Sequence, residues 1–284
     1  MDPFGPLVDA EWLRGRTGDP DVAIVDCRWR LGEPGAGRAL HRQDRIPGAS
    51  FLDVDGDLSD APGDGAPRGR HPLPAADAFE RAARAAGITA GGTVVAYDEA
   101  GEGGAARLWW LLRHFGHERA AILDGGLAGW RAEGGPVETG PTAPPAAGDF
   151  RARPREDDLA SLEEVRERAP AGDRSLVLID ARAPERYAGH HEPVDPVAGH
   201  IPAAVNLPFA ALQGGGRYLA PEALRERLGA AGVAPGSEAV AYCGSGVSAT
   251  VLIAAAEHAG IGGVRLYPGS WSEWCRAGLP AEGG

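Results

Sequence analysis

The chain has 284 residues, of which 43% are hydrophobic and 24% are charged, and it contains 43 glycines and 24 prolines. This length predicts two domains, and the composition is that of a folded globular protein, which excludes a disordered or collagen-like chain. The net charge of −12 disfavours binding to nucleic acid or to a membrane surface, because no basic run reverses it locally. A small anionic substrate is compatible with this charge only in a locally positive pocket.

Neither a membrane span nor a secretory signal is predicted. The longest apolar run, residues 247–256, is about half of the roughly 20 residues that a bilayer requires. The N-terminal residues do not pair a basic segment with a hydrophobic one, so a cytoplasmic location is expected. The 3 cysteines predict free thiols rather than a disulfide framework, and the lack of a Cys/His cluster predicts that no metal is bound.

Short apolar runs alternate with helical patterns along both halves of the chain. In the first half the runs are AIVD, TVVAY and AAIL, with a helix predicted at residues 75–86. In the second half they are LVLID, EAVAY and GVRLY, with a helix predicted at residues 221–231. Runs that are apolar on both faces are typical of a parallel sheet covered by helices on both sides. We therefore predict an α/β protein with a small parallel sheet in each half.

Four sequence blocks occur twice in the same order, which indicates an internal duplication. The paired blocks are Ala23–Trp29 with Leu176–Arg182, Arg45–Leu52 with His200–Leu207, Gly87–Asp98 with Gly232–Cys243, and Leu123–Trp130 with Leu266–Trp274. The first half carries about ten extra residues, which fall within the polar stretch 53–74, and we predict that this stretch forms a loop that could reach the neighbouring domain. A segment rich in Pro, Gly and charge separates the halves, so we predict domains at residues 1–140 and 159–284 with a linker at 141–158.

One cysteine lies where open α/β sheets carry out chemistry. Cys243 directly follows the predicted strand EAVAY, and the sequence GSGVSAT then leads into a helical pattern. Ligands bind at the carboxyl ends of strands in such sheets, and Gly244 and Gly246 allow a tight loop whose amide N–H groups converge on the sulfur. The pattern favours an anion at Cys243, either a thiolate or a persulfide. The first half has Asp98 at the same position and is predicted to be non-catalytic.

The two halves, the loop CGSGVSA at residues 243–249, HIP at 200–202 and YPGSWSEW at 267–274 resemble the tandem-domain rhodanese family of sulfurtransferases. The similarity covers nearly the whole chain and implies two rhodanese-like domains with an active site between them. It also implies that Cys243 takes a sulfane sulfur from a small anionic donor and holds it as a persulfide. The sulfur would then pass to a thiophilic acceptor such as cyanide, a thiol or a thioredoxin-like protein, without a cofactor or a metal.

The resemblance also assigns roles to residues around the cysteine. Arg186 is expected to bind the donor anion and Trp29 to form a wall of the active-site cleft. Asp180 is expected to orient the loop or Arg186, although it could equally form only an ion pair within its own domain. Ser245 could bond either the donor or the loop backbone. Backbone amides of the loop are expected to surround the persulfide charge, and the loop residues are Gly244, Ser245, Gly246, Val247 and Ser248.

The sequence leaves the choice of donor open. The residues Gly-Ser-Gly after the cysteine resemble the loop of 3-mercaptopyruvate sulfurtransferases, whereas thiosulfate sulfurtransferases typically have two cationic residues there. Two departures weaken the first interpretation, because Val194 stands where a second donor-binding arginine is expected and Arg45 replaces a histidine proposed to form a relay with the loop serine. Arg45 could instead supply positive charge to the cleft, or be an ordinary surface residue.

Two other functions compete with sulfur transfer. A phosphatase or arsenate reductase of related fold needs an arginine at the end of the cysteine loop, where this chain has Ala249. A binding or scaffolding protein that has lost catalysis is disfavoured because Cys243 and its loop are intact. We therefore predict a sulfurtransferase that uses 3-mercaptopyruvate or thiosulfate.

Overall fold

The computed structural model describes residues 5–61, 68–169 and 175–283. The chain divides into two compact units. Unit 1 comprises Met1–Asp60, Leu73–Arg155 and Gly215–Tyr218, and unit 2 comprises Ala61–Pro72, Glu156–Gly214 and Leu219–Gly284. Within the described ranges, no helix is both long enough and apolar enough to cross a bilayer.

Unit 1 is built on one parallel sheet. Its elements, in chain order, are β1 (Leu7–Val8), α1 (Ala10–Arg14), β2 (Val22–Asp26), α2 (Ala36–Gln43), β3 (Ser50–Phe51), α3 (Ala76–Ala85), β4 (Thr93–Tyr97), α4 (Gly104–His114), β5 (Ala120–Leu123) and α5 (Gly126–Ala132). The strands lie in the order β1-β5-β4-β2-β3 and every pairing is parallel. Every residue of β4 is buried, as expected for a strand that has helices on both of its faces.

Unit 2 repeats this arrangement. Its elements are α6 (Leu162–Arg168), β6 (Leu176–Asp180), α7 (Pro184–Tyr187), β7 (Val205–Asn206), a 3₁₀ turn (Phe209–Leu212), β8 (Gln213–Gly214), α8 (Pro221–Ala230), β10 (Glu238–Tyr242), α9 (Ala249–His258), β11 (Val264–Leu266) and α10 (Ser270–Arg276); the short β9 (Arg217–Tyr218) belongs to unit 1. The parallel strand order is β11-β10-β6-β7. Helix α9 is apolar nearly all round, and it is buried over almost its whole length.

The duplication predicted from the sequence extends to individual contacts at the ends of equivalent strands. Arg28 pairs with Asp26 after β2, with a shortest distance of 2.7 Å, and Arg182 pairs with Asp180 after β6, with a shortest distance of 2.6 Å. All four side chains are almost completely buried. Each buried charge therefore has a partner, as the low-dielectric interior requires.

The fold class predicted from the sequence is confirmed, since each unit has a parallel sheet flanked by helices. The helices predicted at 75–86 and 221–231 correspond to α3 and α8. Part of the extra stretch of the first half, Ala61–Pro72, belongs to unit 2, and its residues 62–67 lie outside the described residues. Within the segment predicted as a linker, unit 1 continues to Arg155, and Phe150 is buried with its ring 5.9 Å from that of Phe79.

Candidate active site

Cys243 follows β10 directly and is almost completely buried, with an exposed fraction of 1%. The loop that leads from it to α9 folds back so that the Gly246 N–H donates a hydrogen bond to Cys243 Sγ, with an N–S distance of 3.2 Å. Gly246 has φ +80°, and a Cβ atom there would lie 2.5 Å from the carbonyl oxygen of Pro268. Only glycine therefore satisfies both the backbone angle and the space at this position.

The start of α10 fixes the backbone of this loop. The Cys243 N–H donates to Ser270 Oγ at 3.2 Å, and that hydroxyl donates to the Tyr267 carbonyl at 3.0 Å. In return, the Trp271 and Ser272 N–H groups donate to the carbonyls of Cys243 and Gly244 at 3.0 and 2.9 Å. The oxygen atoms of these two carbonyls therefore accept hydrogen bonds from α10, whereas the Gly246 N–H donates to the sulfur.

The hydroxyl of the loop serine contacts a histidine that the sequence analysis did not select. Ser245 Oγ lies 2.6 Å from His71 Nδ1, and both residues are buried. His71 belongs to the part of the extra stretch that lies in unit 2. A histidine from another segment of the chain thus lies beside the loop serine, although Arg45 replaces the histidine expected from the resemblance. The sequence feature that could have indicated His71 is the extra stretch of the first half, because this predicted loop contains a histidine and was expected to reach the neighbouring domain.

Two guanidinium groups lie beside Gly244, the residue after the cysteine. A Cβ atom on Gly244 would lie 2.9 Å from Arg70 Nη2, and 3.4 and 3.5 Å from Nη1 and Nη2 of Arg186. Arg186 was predicted from the sequence, whereas Arg70 was not. Asp195 forms an ion pair with each arginine, through Oδ1 to Arg70 Nη1 and through Oδ2 to Arg186 Nη2, the latter at 3.2 Å. Guanidinium N–H groups thus lie beside the loop, while the carboxylates of Asp195 and Glu192 balance their charge.

Asp180 acts on Arg186 only through intermediate residues. Its carboxylate accepts hydrogen bonds from Arg182, which also lies 3.3 Å from Glu192, and Glu192 in turn binds Arg186 at 2.7 and 3.0 Å. Burial alone would raise the pKa of the Glu192 carboxyl, but hydrogen bonds from Arg186 and from the backbone hold that pKa below its ordinary value. Both alternatives for Asp180 are compatible with this chain of pairs, because its internal ion pair is also the first link to Arg186.

The remaining residues of the sequence analysis are Trp29 and Arg45 in unit 1 and Val194 in unit 2. Trp29 belongs to unit 1, where its ring packs beside Gly104, so its expected role as a cleft wall stays a prediction. Arg45 is neither a surface residue nor an unpaired charge. It is 2% exposed and donates to Glu138 at 2.8 Å, because the chain after α5 folds back over it. Val194 is 39% exposed and supplies no charge.

The equivalent position in unit 1 holds a carboxylate in an amide-lined loop. The Asp98 oxygens accept hydrogen bonds from the N–H groups of Gly101, Gly103 and Ala105 at 2.6, 3.0 and 3.2 Å. Burial raises the pKa of Asp98, although these backbone donors oppose the shift. The side chain therefore occupies its own anion site and offers no nucleophilic sulfur.

The two other cysteines are poor candidates for sulfur chemistry. Burial raises the pKa of the Cys27 thiol well above its ordinary value, and the negative charges of Asp26 and Asp98 add to the effect. Burial also raises the pKa of Cys275, to about 12. Both thiols are protonated at neutral pH and are weak nucleophiles. Among the described residues, no group of His, Cys, Asp and Glu side chains is arranged to hold a metal ion.

Comparison with known proteins agrees with this architecture. The sequence model of the rhodanese-like domain matches residues 9–133 and again residues 161–277. A Mycobacterium tuberculosis protein named as a thiosulfate sulfurtransferase is 43% identical over 94% of this chain and 93% of its own length. A Pseudomonas aeruginosa protein named as a 3-mercaptopyruvate sulfurtransferase is 41% identical over 94% of both chains.

A solved structure shows the same fold over nearly the whole chain. The 3-mercaptopyruvate sulfurtransferase from Leishmania major superposes with a TM-score of 0.84 at 30% identity, covering 98% of this chain and 76% of that one. The family match spans both units, and the relatives are similar over nearly their full length. The chain therefore belongs to the rhodanese family and carries two of its domains in tandem.

Proposed function

We propose that this rhodanese-family sulfurtransferase moves a sulfane sulfur from 3-mercaptopyruvate, through a persulfide on Cys243, to a thiophilic acceptor. One observation carries the proposal. A buried cysteine directly follows the strand β10, accepts a hydrogen bond from the Gly246 N–H, and has an arginine pair beside the next residue. A sulfur anion and a carboxylate-bearing donor are both stabilised by such surroundings.

The first half-reaction transfers sulfur to the enzyme. The Cys243 thiolate attacks the donor sulfur, an S–S bond forms, and the C–S bond of the donor breaks. The electron pair of that bond passes to the carbon fragment as the enolate of pyruvate, which takes up a proton. Ser245 Oγ, 2.6 Å from His71 Nδ1, is held in a position to polarise the donor carbonyl and to stabilise the enolate oxygen. Arg186 binds the donor carboxylate.

The second half-reaction returns the enzyme to its starting state. The acceptor, which is cyanide, a small thiol or a thioredoxin-like protein, attacks the outer sulfur of the persulfide. The S–S bond breaks and its electron pair returns to Cys243 as the thiolate. Between the two steps, the amides of residues 244–248 stabilise the terminal sulfur anion. No cofactor or metal is part of this proposal, and a covalent intermediate of this kind predicts ping-pong kinetics.

Thiosulfate is the second candidate donor. Val194 in place of an arginine favours it, and sequence identity does not separate the two donors, since relatives named for thiosulfate and for 3-mercaptopyruvate are 43% and 41% identical. The Gly-Ser-Gly loop favours 3-mercaptopyruvate, because the loop has no cationic side chain for a dianion. The cytoplasmic location expected from the N-terminal sequence stays a prediction, to be checked by cell fractionation.

Sulfur transfer to cyanide tests the proposal directly. The formation of thiocyanate is measured with 3-mercaptopyruvate and with thiosulfate, on the wild type and on Cys243→Ser. We expect the wild type to prefer 3-mercaptopyruvate by at least about tenfold in kcat/KM, a difference of about 1.4 kcal/mol, and the variant to be inactive with both donors. A preference for thiosulfate would overturn the donor assignment. Transfer from neither donor would overturn the proposed function and favour a scaffold.

A further inference from the structure

Unit 1 contains a cavity that has no part in the proposed reaction. Its volume is about 440 Å³, and its walls are formed by one face of α2, by β3 and the residues that follow it, by the end of α3 and by residues 140–145, which follow α5. All of these segments belong to unit 1. Cavities that bind small molecules typically have volumes of roughly 300–1,000 Å³, so this one is large enough for a small organic molecule.

The wall formed by residues 140–145 is anchored to the rest of unit 1. The Gly140 N–H donates to the Arg42 carbonyl at 2.8 Å, and the Gly140 carbonyl accepts a hydrogen bond from Arg45 Nη1 at 2.6 Å. Of the six residues 140–145, 3 are prolines, whose rings restrict the backbone after this anchor. The cavity is therefore preformed, and it does not depend on the closure of a loop.

The wall contributed by α2 is basic. Arg38, His41 and Arg42 all line the cavity, because residues three and four apart lie on the same face of a helix. His41 Nδ1 lies 3.0 Å from Asp26 Oδ2, so one ring nitrogen of this histidine already has a partner. Both arginines are exposed to solvent, which places their guanidinium groups at the mouth of the cavity.

The two guanidinium groups have hydrogen-bond donors that the protein does not use. Within the described part of the chain, neither Arg38 nor Arg42 forms an ion pair or a side-chain hydrogen bond. The Arg38 guanidinium lies over the Phe51 ring, 5.0 Å from its centroid, and this contact holds the group at the wall without using its N–H donors.

The charge of the lining is positive, although the whole chain has a net charge of −12. Asp57 is the one carboxylate among the described residues of the lining, and its Oδ2 accepts a hydrogen bond from the Asp53 N–H at 2.8 Å. The charge of Arg38 acts to lower the pKa of Asp57, but burial raises that pKa by more. Two guanidinium groups against one carboxylate favour an anionic ligand.

The remaining walls are largely apolar. The end of α3 contributes Ala82, Ala85 and Ala86, whose small side chains leave the space open, and Phe51 contributes an aromatic ring. The prolines of residues 140–145 line the cavity as well. A ligand that has a charged group at one end and a flat apolar body therefore matches the arrangement of the lining.

We propose that this cavity binds a small phosphate monoester whose organic body is flat and apolar. Two guanidinium groups suit the charge and the several oxygen atoms of a phosphate monoester better than they suit the single charge of a carboxylate. The body of the ligand lies against Phe51 and the alanines of α3, where it is removed from water. No described residue of the lining belongs to the site around Cys243, so the inference does not depend on the proposed sulfur transfer.

Isothermal titration calorimetry of the full chain tests the inference, with phenyl phosphate as a probe that has both a phosphate group and a ring. We expect a Kd below about 1 mM, and at least about tenfold lower than the Kd of inorganic phosphate, which lacks the ring, and of benzoate, which lacks the phosphate. The absence of saturable binding up to about 10 mM phenyl phosphate would overturn the inference. Equal affinities for benzoate and phenyl phosphate would overturn the choice of a phosphate.

Variants show where the probe binds. Arg38→Gln and Arg42→Gln should each raise the Kd of phenyl phosphate at least about fivefold, and Ala85→Trp should abolish binding because the new side chain fills the cavity. Arg227→Gln, which removes an exposed arginine from α8, is the matched control and should bind the probe as the wild type does. Arg186→Gln should also leave the Kd unchanged, because it alters only the guanidinium groups beside the cysteine loop.

The same variants contain the results that contradict the inference. A Kd that rises in Arg186→Gln but stays unchanged in Arg42→Gln would overturn it, because the probe would then bind beside Cys243. An unchanged Kd in Ala85→Trp would overturn it as well. The side chains of Arg38, Arg42 and Ala85 are exposed, so the melting temperature of each variant without the probe should match that of the wild type.

Discussion

The loop after β4 and the loop after β10 occupy equivalent places and share a left-handed glycine, Gly101 or Gly246, but the first begins with Asp98 and the second with Cys243. β4 pairs in parallel with β2, and β10 pairs in the same way with β6. In unit 1, N–H groups of the following loop bind the Asp98 carboxylate, and in unit 2 the Gly246 N–H binds Cys243 Sγ. The comparison teaches that the anion site belongs to the duplicated backbone, while the reaction depends on which side chain occupies it.

The surroundings of the two loops differ in charge as well. Beside the unit 2 loop lie the guanidinium groups of Arg70 and Arg186. The unit 1 loop instead carries Glu99 and Glu102, and burial together with the negative charges of Asp98 and Glu99 raises the pKa of Glu102. An anionic sulfur donor therefore meets guanidinium N–H donors beside the unit 2 loop, whereas the unit 1 loop itself carries acidic side chains, of which Glu99 is paired with Arg28 and Arg131.

Removal of the nucleophile gives the largest expected effect. Cys243→Ser should lower the rate of sulfur transfer at least about a thousandfold, because the persulfide cannot form on a hydroxyl. Cys27→Ala and Cys275→Ala are the matched controls, and both should keep the activity of the folded wild type, because neither thiol is ionised at neutral pH. Mass spectrometry after incubation with donor should show one added sulfur in each control and none in Cys243→Ser. Sulfur on Cys27 or Cys275 would contradict the assignment.

A glycine exchange tests whether the backbone of the loop makes the anion site. Gly246 and Gly260 have φ +80° and +78°, but a Cβ atom would clash with Pro268 at the first and meet nothing at the second. Both alanine variants should lose about 1–2 kcal/mol of stability to backbone strain, with Gly246→Ala losing more. Only Gly246→Ala should also lose activity, by about a hundredfold, since it displaces the N–H from the sulfur.

Equal activity losses in the two variants, measured at a temperature where both are folded, would mean that strain alone matters. The Gly246 N–H would then have no part in stabilising the sulfur anion.

The sequence predicted the parts of this site that depend on local pattern. In a parallel sheet, the loop between a buried strand and the next helix lies at the carboxyl edge of the sheet. The sequence shows such a strand, then a cysteine followed by glycines, then a helix, so the position of Cys243 and its loop at this edge could be predicted. Arg70 and His71 could not, because they lie in a polar stretch without periodicity and far from Cys243 in the chain. Their positions depend on tertiary contacts, such as the packing of Gly69 on Gly269, which no local pattern specifies.

The expectation that Arg45 is an ordinary surface residue was wrong for the same reason, while its suggested role in the cleft stays a prediction. Its charge suggested a surface position as one alternative, but the structure buries it against Glu138, which lies after α5. The pairing of two segments so far apart in sequence is not encoded in the residues around either of them. The sequence does show that the family histidine is replaced at Arg45, but it does not show that His71 reaches Ser245 from another segment.

The pair of Ser245 and His71 gives a smaller expected effect and has no counterpart in unit 1, where Ala100 follows Glu99. Ser245→Ala and His71→Gln should each lower kcat with 3-mercaptopyruvate about tenfold, less than the roughly hundredfold or greater loss that removal of one donor of a preorganised oxyanion hole causes. Because the two side chains act through one hydrogen bond, the double variant should be little slower than either single variant. Additive losses would show that the contact is structural.

The last prediction concerns the unit 1 loop and its carboxylate. The pKa of Asp98 is raised by burial, so the folded protein holds this proton more tightly than the unfolded chain. Any stability that the protonated group contributes is present below its ordinary pKa of 3.8 and is lost as the pH rises through the raised folded value. The free energy of unfolding of the wild type should therefore fall relative to that of Asp98→Asn as the pH is raised from about 4 towards neutrality. Urea unfolding of both proteins across this pH range measures the difference between their free energies of unfolding. The other carboxylates are the same in both proteins, so their contributions cancel in this difference. A difference that moves in the opposite direction would mean that the three N–H donors outweigh burial, and that the unit 1 loop, like the loop at Cys243, favours the anion it binds.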